Sequence, residues 1–277
     1  MFEIDVTFSI FTNKFISYNM SSVRPKKSLG QHFLKDENIA RKIVDAISDL
    51  PQRKVLEIGP GTGILTSLLV QRENIDFYAI EVDSEAYEFL SDTYPSLGDH
   101  LILENFLKLE LKDIFKEPLT VIGNFPYNIS SQIFFKVLEN RDIVNDVVCM
   151  IQKEVADRIK ASHGNKTYGI LSVFLQAFYE INYLFTVGPN VFNPPPKVNS
   201  AVIHLKRNSR KELGCNETLF FRIVKLGFNQ RRKTLRNSLK SILINLPTDI
   251  EILSKRPEQL NVEDFILLTN LIDRQQV

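Results

Sequence analysis

Short apolar runs alternate with stretches of helical pattern through residues 36–160, and no other feature constrains the fold as strongly. The apolar runs have the length of buried strands, and the stretches between them repeat apolar residues every three or four positions. Strands that alternate with helices favour a parallel sheet with helices on both faces. We therefore predict an α/β domain with strands near 54–59, 76–83, 100–105 and 118–126, helices near 36–50, 64–72, 84–94 and 130–138, and a strand that runs into a helix over 146–159.

The pattern changes after Arg207, and this change divides the chain. Segments 181–189 and 198–207 could pair as antiparallel edge strands that close the sheet. The following residues hold several helical patterns and no convincing strand, beginning with the polar, loop-like "NSRKELGCN". The predicted parts are an N-terminal extension expected to be disordered (1–22), an α/β domain (23–207) and a small all-helical C-terminal domain (208–277).

Charge is nearly balanced overall but unevenly distributed. The formal net charge is +1, and 44% hydrophobic with 24% charged residues is the composition of an ordinary globular protein. Residues 222–240 nevertheless carry seven Lys or Arg and no acid, and a second basic cluster includes Arg24, Lys26 and Lys27. Taken alone, such clusters are most often solvated surface, so they do not identify a partner.

Cysteine content and the length of the apolar runs exclude several classes of protein. Cys149 and Cys215 are too few for a disulfide framework or a cysteine-rich zinc site, and we predict no metal site. No apolar run approaches the ~18 residues of a membrane span. A cytoplasmic protein with reduced thiols is the expectation.

A glycine-rich turn follows the first strand of the α/β domain. In "EIGPGTG" (57–63), Gly59, Gly61 and Gly63 allow a tight turn and close approach of a ligand to the backbone. The spacing is not G-x-G-x-x-G, and the Lys-Ser/Thr pair of a phosphate-binding loop is absent. A nucleoside ligand without phosphates is favoured, with S-adenosylmethionine as the leading candidate. The alternative is a plain structural turn.

Polar residues end the next two strands. Glu81 stands about 20 residues beyond the glycines, where a carboxylate can accept hydrogen bonds from ribose hydroxyls. Asp83, two residues later, is the candidate cap of the following helix. Asn105 ends the third strand, where a side chain could read the edge of an adenine. Each of these alone could be an ordinary solvated strand end.

The fourth strand ends in the segment Asn124-Phe125-Pro126-Tyr127. Ligands of open parallel sheets bind beyond the carboxyl ends of the strands, so this segment is expected beside the cofactor. The Asn124 side chain and the Phe125 carbonyl could accept both N–H groups of an exocyclic amine and aim its lone pair at a methyl donor. Tyr127 could stack on the purine. The alternative is that Pro126 ends a strand and Tyr127 packs under a loop.

Six segments in the same order resemble one known family over nearly all of residues 23–275. The chain is similar to the ribosomal RNA small-subunit adenine dimethyltransferases of the KsgA type, relatives of the erythromycin-resistance rRNA methylases. The matching segments are "KKSLGQHFL" (26–34), "VLEIGPGTGILT" (55–66), "IGNFPYNISSQIFFKVL" (122–138), "MIQKEVADRI" (150–159), "VFNPPPKVNSAVIHL" (191–205) and "FNQRRKTLRNSL" (228–239).

The resemblance implies a Rossmann-like S-adenosylmethionine-dependent domain with a small helical C-terminal domain. It implies N6,N6-dimethylation of two adjacent adenosines in the 3′-terminal hairpin of 16S rRNA, by a monomer acting on immature 30S subunits. The family usually has Asp where this chain has Asn105. The implied cofactor residues are His32, Leu34, Gly59, Gly61, Gly63, Glu81, Asn105 and Asn124.

The resemblance also implies residues that contact the RNA substrate. Phe192 is expected to complete a sandwich on the target base with Tyr127, beside Asn124, Phe125 and Pro126. The implied phosphate contacts are Arg24, Lys26, Lys27, Arg231, Arg232, Lys233 and Arg236.

Three other functions stay open at this point. A 23S rRNA methylase of the resistance type shares the same segments, although the "PPPKV" loop favours the small subunit. An assembly factor that has lost catalysis would bind pre-ribosomal subunits, but the intact glycine turn and Glu81 argue against it. A DNA N6-adenine methyltransferase would share the Asn-x-Pro-Tyr logic and would not explain the remaining segments.

Overall fold

The structure, a computed structural model, describes residues 23–47, 53–243 and 250–275. The extension predicted to be disordered (1–22) and the end of the first predicted helix (48–50) lie outside the described residues.

Nine strands and ten α-helices make up the described part of the chain. The strands are β1 (Phe33–Leu34), β2 (Arg53–Ile58), β3 (Ile75–Glu81), β4 (Leu101–Leu103), β5 (Leu119–Asn124), β6 (Val144–Gln152), β7 (Tyr179–Val187), β8 (Phe192–Asn193) and β9 (Ser200–Arg207). The helices are α1 (Glu37–Asp45), α2 (Thr66–Leu69), α3 (Ser84–Thr93), α4 (Leu111–Ile114), α5 (Ser130–Glu139), α6 (Lys153–Lys160), α7 (Ile170–Phe178), α8 (Glu217–Asn229), α9 (Leu235–Ser238) and α10 (Val262–Asp273). Short 3₁₀ segments span Lys27–Leu29, Pro95–His100, Pro189–Val191, Glu251–Ser254 and Pro257–Gln259.

Seven strands form one sheet in the order β4-β3-β2-β5-β6-β9-β7. The five strands from β4 to β6 are parallel, and β9 is antiparallel to both of its neighbours. The prediction of an α/β fold is confirmed, and so is the antiparallel pair formed by β7 and β9. Of these two strands only β7 lies at an edge of the sheet, because β9 lies between β6 and β7. The strand order reverses between β2 and β5, and such a switch point is where ligands bind in open α/β sheets.

Both faces of the sheet are covered, which explains the continuous apolar sequence of β6. Val147 and Cys149 face one hydrophobic core, whereas Val148 and Met150 face the other. A strand buried on both sides has no polar face and therefore reads as an unbroken apolar run. Cys149 and Cys215 are both free thiols.

The C-terminal helices pack onto the core of one sheet face. The Phe174 ring in α7 lies 4.5 Å from that of Phe221 and 6.3 Å from that of Phe220, both in α8. The sequence analysis did not identify α7, in which seven of nine residues are buried and the sequence "ILSVFLQAF" is apolar on nearly all sides. The domain boundary near residue 207 stays a prediction.

The first helix begins where its sequence predicts. Asp36 caps α1 by accepting hydrogen bonds from the backbone N–H groups of Asn38 and Ile39, at 2.9 and 3.0 Å. By contrast, α2 covers only four residues of the helix predicted over 64–72. Among the helices of the described ranges, none is long and apolar enough to cross a membrane.

Candidate active site

A pocket opens at the carboxyl ends of β2, β3, β4 and β5, on the strand-order reversal. It encloses about 680 Å³ of empty space, a volume that includes open solvent at its mouth. Its lining consists of Leu29, Gly30, Gln31, His32, Phe33, Ile58, Gly59, Gly61, Ile80, Glu81, Val82, Glu104, Asn105, Phe106, Asn124, Phe125, Pro126, Tyr127 and Ile129. Most of the predicted cofactor and target residues are therefore brought together.

Two glycines of the turn, Gly59 and Gly61, line this pocket. Gly59 and Gly61 have φ angles of 67° and 58°, in the left-handed region that favours glycine. A Cβ on Gly59 would meet no atom within 4 Å, so its backbone faces open space. A Cβ on Gly61 would lie 2.8 Å from the Phe33 ring. The turn is thus shaped for a ligand that approaches the main chain.

Two predicted cofactor residues do not line the pocket. A Cβ on Gly63 would meet Leu90 at 3.0 Å and Tyr94 at 3.3 Å, so this glycine serves the packing of α3 against the turn. Leu34 is 1% exposed and belongs to the core, where β1 pairs with β8. Neither residue lines the pocket, and their assignment as cofactor residues stays a prediction: Gly63 packs against α3, and the Leu34 side chain lies in the core.

Glu81 is a buried carboxylate held by backbone donors. Its Oε2 accepts from the Gly61 N–H at 3.0 Å, and its Oε1 accepts from those of Val82 and Asp83 at 2.9 Å. Burial raises the pKa of Glu81, and these hydrogen bonds oppose the rise. Among the described residues no lysine or arginine forms an ion pair with it, so its remaining lone pairs are free for ribose hydroxyls. The residues fit an unphosphorylated nucleoside.

Asp83 ties the N-terminal arm, defined here as residues 23–34, to the pocket. It accepts from the Glu85 N–H at 3.1 Å as the cap of α3, as predicted. It also accepts from the Lys26 ammonium and, at 3.1 Å, from the Gln31 side-chain amide. Burial acts to raise the pKa of Asp83, but the bonds from Lys26 and Gln31 outweigh it and hold that pKa below its usual value.

This network changes the interpretation of Lys26. Its ammonium pairs with Asp83 and lies 3.5 Å from the Glu85 carboxylate. The contact of Lys26 with RNA phosphate stays a prediction; in this structure its charge is paired within the chain, and it holds the arm over the pocket.

Asn105 lies where the sequence predicts, on the pocket wall just beyond β4, but it is engaged in a local turn. Its Oδ1 accepts from the Leu107 N–H at 3.0 Å. The Asn105 N–H in turn donates to Glu104 Oε1 at 2.7 Å. Only the Asn105 amide nitrogen, a donor, has no partner within this turn.

Asn124 ends β5 with a fixed side-chain orientation. Its Nδ2 donates to the His32 carbonyl at 2.8 Å. The Nδ1 atom of His32 lies 2.7 Å from the Pro194 carbonyl, which can only accept, so Nδ1 carries the proton. Because the amide nitrogen of Asn124 is committed to the arm, its oxygen is the atom left to act as an acceptor.

Tyr127 lies in the same wall and is anchored at its hydroxyl. The Tyr127 hydroxyl is 2.5 Å from Ser200 Oγ, and its ring centroid is 5.3 Å from that of His32. Burial raises the pKa of Tyr127, so the phenol is neutral near neutral pH. The Phe125 side chain is buried in the core, which leaves only its backbone to face a ligand.

Phe192 does not lie beside Tyr127 in this structure. Its side chain is 1% exposed and packs in the core with Leu34, its partner in the β1–β8 pair. The predicted sandwich of Phe192 and Tyr127 on a base is thus not formed here. Strand pairing with the arm places the Phe192 ring inward, and the ring that the structure sets beside Tyr127 is His32.

The other predicted RNA contacts lie at the surface. Arg24, Lys27, Arg232 and Lys233 are exposed, whereas Arg231 and Arg236 are partly buried. Arg231 donates to the Tyr168 carbonyl at 3.3 Å.

Three residues of the site were missed from the sequence. Gln31 and Phe33 lie within a segment that carried the family resemblance, yet nothing local marks them as neighbours of Asp83 and Gly61. Ser200 anchors Tyr127 across 73 residues of chain. The "VNSAV" motif, which contains Ser200, could have marked this residue. Its contact with Tyr127 could not be predicted from the sequence.

Solved structures with the same fold define the class of protein. A dimethyladenosine transferase from Plasmodium falciparum superposes with a TM-score of 0.76 at 25% identity, over 89% of this chain and 99% of its own. The 23S rRNA methyltransferase ErmE superposes with a TM-score of 0.63 at 22% identity, over 86% and 99%, a likeness of fold alone. The fold and site are those of a Rossmann-like, S-adenosylmethionine-dependent methyltransferase.

Sequence comparison gives the family. The family model for ribosomal RNA adenine dimethylase matches residues 23–272. Ribosomal RNA small subunit methyltransferase A of Bacteroides thetaiotaomicron is 56% identical over 92% of this chain and 96% of its own. Its counterpart in Flavobacterium johnsoniae is 52% identical over 93% and 99%. The chain belongs to the ribosomal RNA adenine dimethylase family, and it is an rRNA adenine dimethyltransferase.

Proposed function

We propose that this enzyme dimethylates N6 of two adjacent adenosines in the 3′-terminal hairpin of 16S rRNA, acting as a cytoplasmic monomer on immature 30S subunits. The names of its relatives specify the small ribosomal subunit. The observation that carries the chemistry is the Asn124 amide, whose nitrogen is committed to the His32 carbonyl at the end of β5. Its oxygen then serves as a fixed acceptor for an exocyclic amine.

The cofactor end of the pocket holds the methyl donor. Bound S-adenosylmethionine supplies an electrophilic methyl group. The bare backbone at Gly59 admits the ligand, and Glu81, which the Gly61 N–H holds in place, accepts hydrogen bonds from its ribose hydroxyls. The arm covers the site through His32 and Phe33, and its attachment to Asp83 keeps it in place.

The target end orients the nucleophile. The lone pair of an adenine amine is delocalised into the ring, so the amine needs orientation more than a strong base. The Asn124 oxygen and the Phe125 carbonyl accept its two N–H groups and turn the lone pair toward the methyl group. The proton leaves after transfer.

Tyr127 is the platform for the target base. An adenine must leave its stack to reach this pocket, and an aromatic ring then replaces the lost stacking. Such stacking contributes about 1–3 kcal/mol per base. The hydrogen bond between the Tyr127 hydroxyl and Ser200 Oγ anchors the ring that the base meets.

Basic residues outside the pocket hold the RNA by its phosphates. The contacts we propose are Arg24, Lys27, Arg231, Arg232, Lys233 and Arg236, with Lys26 retained only as a tether of the arm. Affinity for RNA should therefore fall as salt rises.

The test is methyl transfer from labelled S-adenosylmethionine to 30S particles that lack the modification, mapped by primer extension. The expected result is label in 16S rRNA with primer-extension stops at two adjacent adenosines. Particles that already carry the modification should take up no label. Label in 23S rRNA would contradict the proposal in favour of the resistance-type activity. Tight binding of 30S particles without any transfer would instead indicate an assembly factor.

A further inference from the structure

The pocket wall beyond Glu81 is built by Glu104, Asn105 and Phe106, directly after β4. Leu103 of β4 pairs with Glu81 in β3, and the Glu104 N–H donates to the Glu81 carbonyl at 3.0 Å. Adjacent strands are about 4.8 Å apart. A nucleoside whose ribose lies on Glu81 therefore extends its base toward this wall.

The amino group of an adenine can only donate, so the wall must offer it an acceptor. Asn105 has one acceptor atom, Oδ1, and one of the two lone pairs of this atom already accepts from the Leu107 N–H at 3.0 Å. Its other polar atom, Nδ2, is a donor and would oppose the amine. At Asn105 only the second lone pair of a neutral amide oxygen is therefore available to the amine.

Glu104 offers a stronger acceptor at the same place. Its Oε1 accepts from the Asn105 N–H at 2.7 Å, which folds the carboxylate back along the wall. Among the hydrogen bonds and ion pairs of the described residues, none ends on Oε2 of Glu104. A bond to an ionised acceptor is roughly twice as strong as one between neutral groups.

We infer that the Glu104 carboxylate accepts the hydrogen bond from the cofactor's adenine amine and selects adenine over a 6-oxopurine. In this chain the acceptor stands one position before the family's usual Asp. The inference rests on the proposed cofactor site and concerns only which residue reads the base.

The test compares Glu104→Gln with the wild-type chain by calorimetric titration of two ligands. S-Adenosylhomocysteine presents the amine, and S-inosylhomocysteine presents an oxygen in its place. The wild type should prefer the adenosine ligand. Glu104→Gln should bind that ligand about tenfold more weakly, the effect of one charge-assisted hydrogen bond. It should bind the inosine ligand as well as or better than the wild type, because a carboxylate no longer faces its oxygen.

Two further variants separate specificity from folding. Asn105→Asp in the Glu104→Gln background should recover affinity for the adenosine ligand, because it returns a carboxylate to the wall. Glu139→Gln, an exposed glutamate of α5, removes the same charge and should leave both affinities unchanged.

The outcomes distinguish this inference from the proposed function. Unchanged discrimination between the two ligands in Glu104→Gln, or an equal loss of affinity for both, would overturn the role of Glu104. The proposed cofactor site would still be supported if the wild-type chain binds S-adenosylhomocysteine. Failure of the wild-type chain to bind S-adenosylhomocysteine would overturn the proposed site itself.

Discussion

The cofactor end and the target end of the pocket are built in different ways. The cofactor end consists of one glycine turn and one buried carboxylate, within residues 57–83, and the Glu81 side chain accepts from backbone N–H groups at most 20 residues away. The target end joins Asn124 to His32 across 92 residues and His32 to Pro194 across 162 residues. Local loops fix the cofactor, whereas three distant segments must dock to place the amine. Changes at the two ends should therefore have separable effects.

The largest effect is expected at the target end, from Asn124→Ala. Loss of the acceptor leaves the amine unoriented, and misplacement of a reacting group costs about 100-fold in rate. Affinity for S-adenosylhomocysteine should change by no more than about fivefold, the effect of one neutral hydrogen bond to the arm. Single-turnover transfer and calorimetric titration measure the two quantities.

The matched control for this prediction is Asn182→Ala. Asn182 is an exposed asparagine of β7 that does not line the pocket, so both quantities should stay at wild-type values. If Asn124→Ala lost binding and transfer equally, the separation of the two ends would be wrong.

The next largest effect is expected at the cofactor end, from Gly61→Ala. A left-handed backbone costs an alanine about 1–2 kcal/mol, and its Cβ would lie 2.8 Å from the Phe33 ring. Affinity for S-adenosylhomocysteine should fall about tenfold or more, while transfer at saturating cofactor is largely kept. Gly188→Ala is the control, because Gly188 has a φ of −74° and open space around it. A fall in transfer that saturating cofactor does not restore would contradict this assignment.

A smaller effect at the target end is expected from Ser200→Ala. The substitution removes the hydrogen bond that holds the Tyr127 hydroxyl. Losing one such bond costs about 0.5–1.5 kcal/mol, so KM for the RNA should rise about two- to tenfold at unchanged cofactor affinity. The exposed Ser91→Ala serves as the control in steady-state assays. An unchanged KM would show that the Tyr127 ring does not depend on this anchor.

The smallest effect on transfer, but a clear one on stability, is expected from Glu57→Gln. Burial raises the pKa of Glu57 to about 8 from its ordinary 4.5, although the Thr66 hydroxyl donates to it at 2.7 Å and opposes the rise. Between these values the unfolded chain ionises while the folded chain stays protonated, so the free energy of unfolding falls as pH rises. The slope is at most about 1.4 kcal/mol per pH unit.

Urea unfolding at pH 5, 6.5 and 8 measures how the free energy of unfolding depends on the protonation of Glu57. The wild type should lose stability relative to Glu57→Gln across that range, and the exposed Glu88→Gln should follow the wild type. Parallel curves for all three chains would mean that Glu57 is ionised in the folded state. The result would sharpen the contrast with Glu81, whose carboxylate has three backbone donors where Glu57 has one hydroxyl.

The same contrast explains what the sequence could predict. The parallel strands, the Asp36 cap and the positions of Gly59, Gly61 and Glu81 follow from local pattern, and the structure places them as expected. The inward packing of Phe192 depends on pairing between strands 158 positions apart, Leu34 with Phe192, and no local pattern encodes it.

Lys26 shows that charge pairing also depends on contacts between residues that are distant in the sequence. A basic residue near the start of this chain reads as a phosphate contact, but Lys26 pairs with Asp83, which lies 57 residues away. Composition shows where charges occur along the chain and not which of them neutralise one another in the fold.

The most direct test of the two-ended pocket is a crystal structure of this chain with S-adenosylhomocysteine bound. The ribose hydroxyls should lie within about 2.6–3.2 Å of the Glu81 carboxylate, with the sulfur facing the Asn124 oxygen and the Asn124 nitrogen still bonded to His32. A ribose bound away from Glu81, or an Asn124 amide that turns its nitrogen toward the sulfur, would contradict the account.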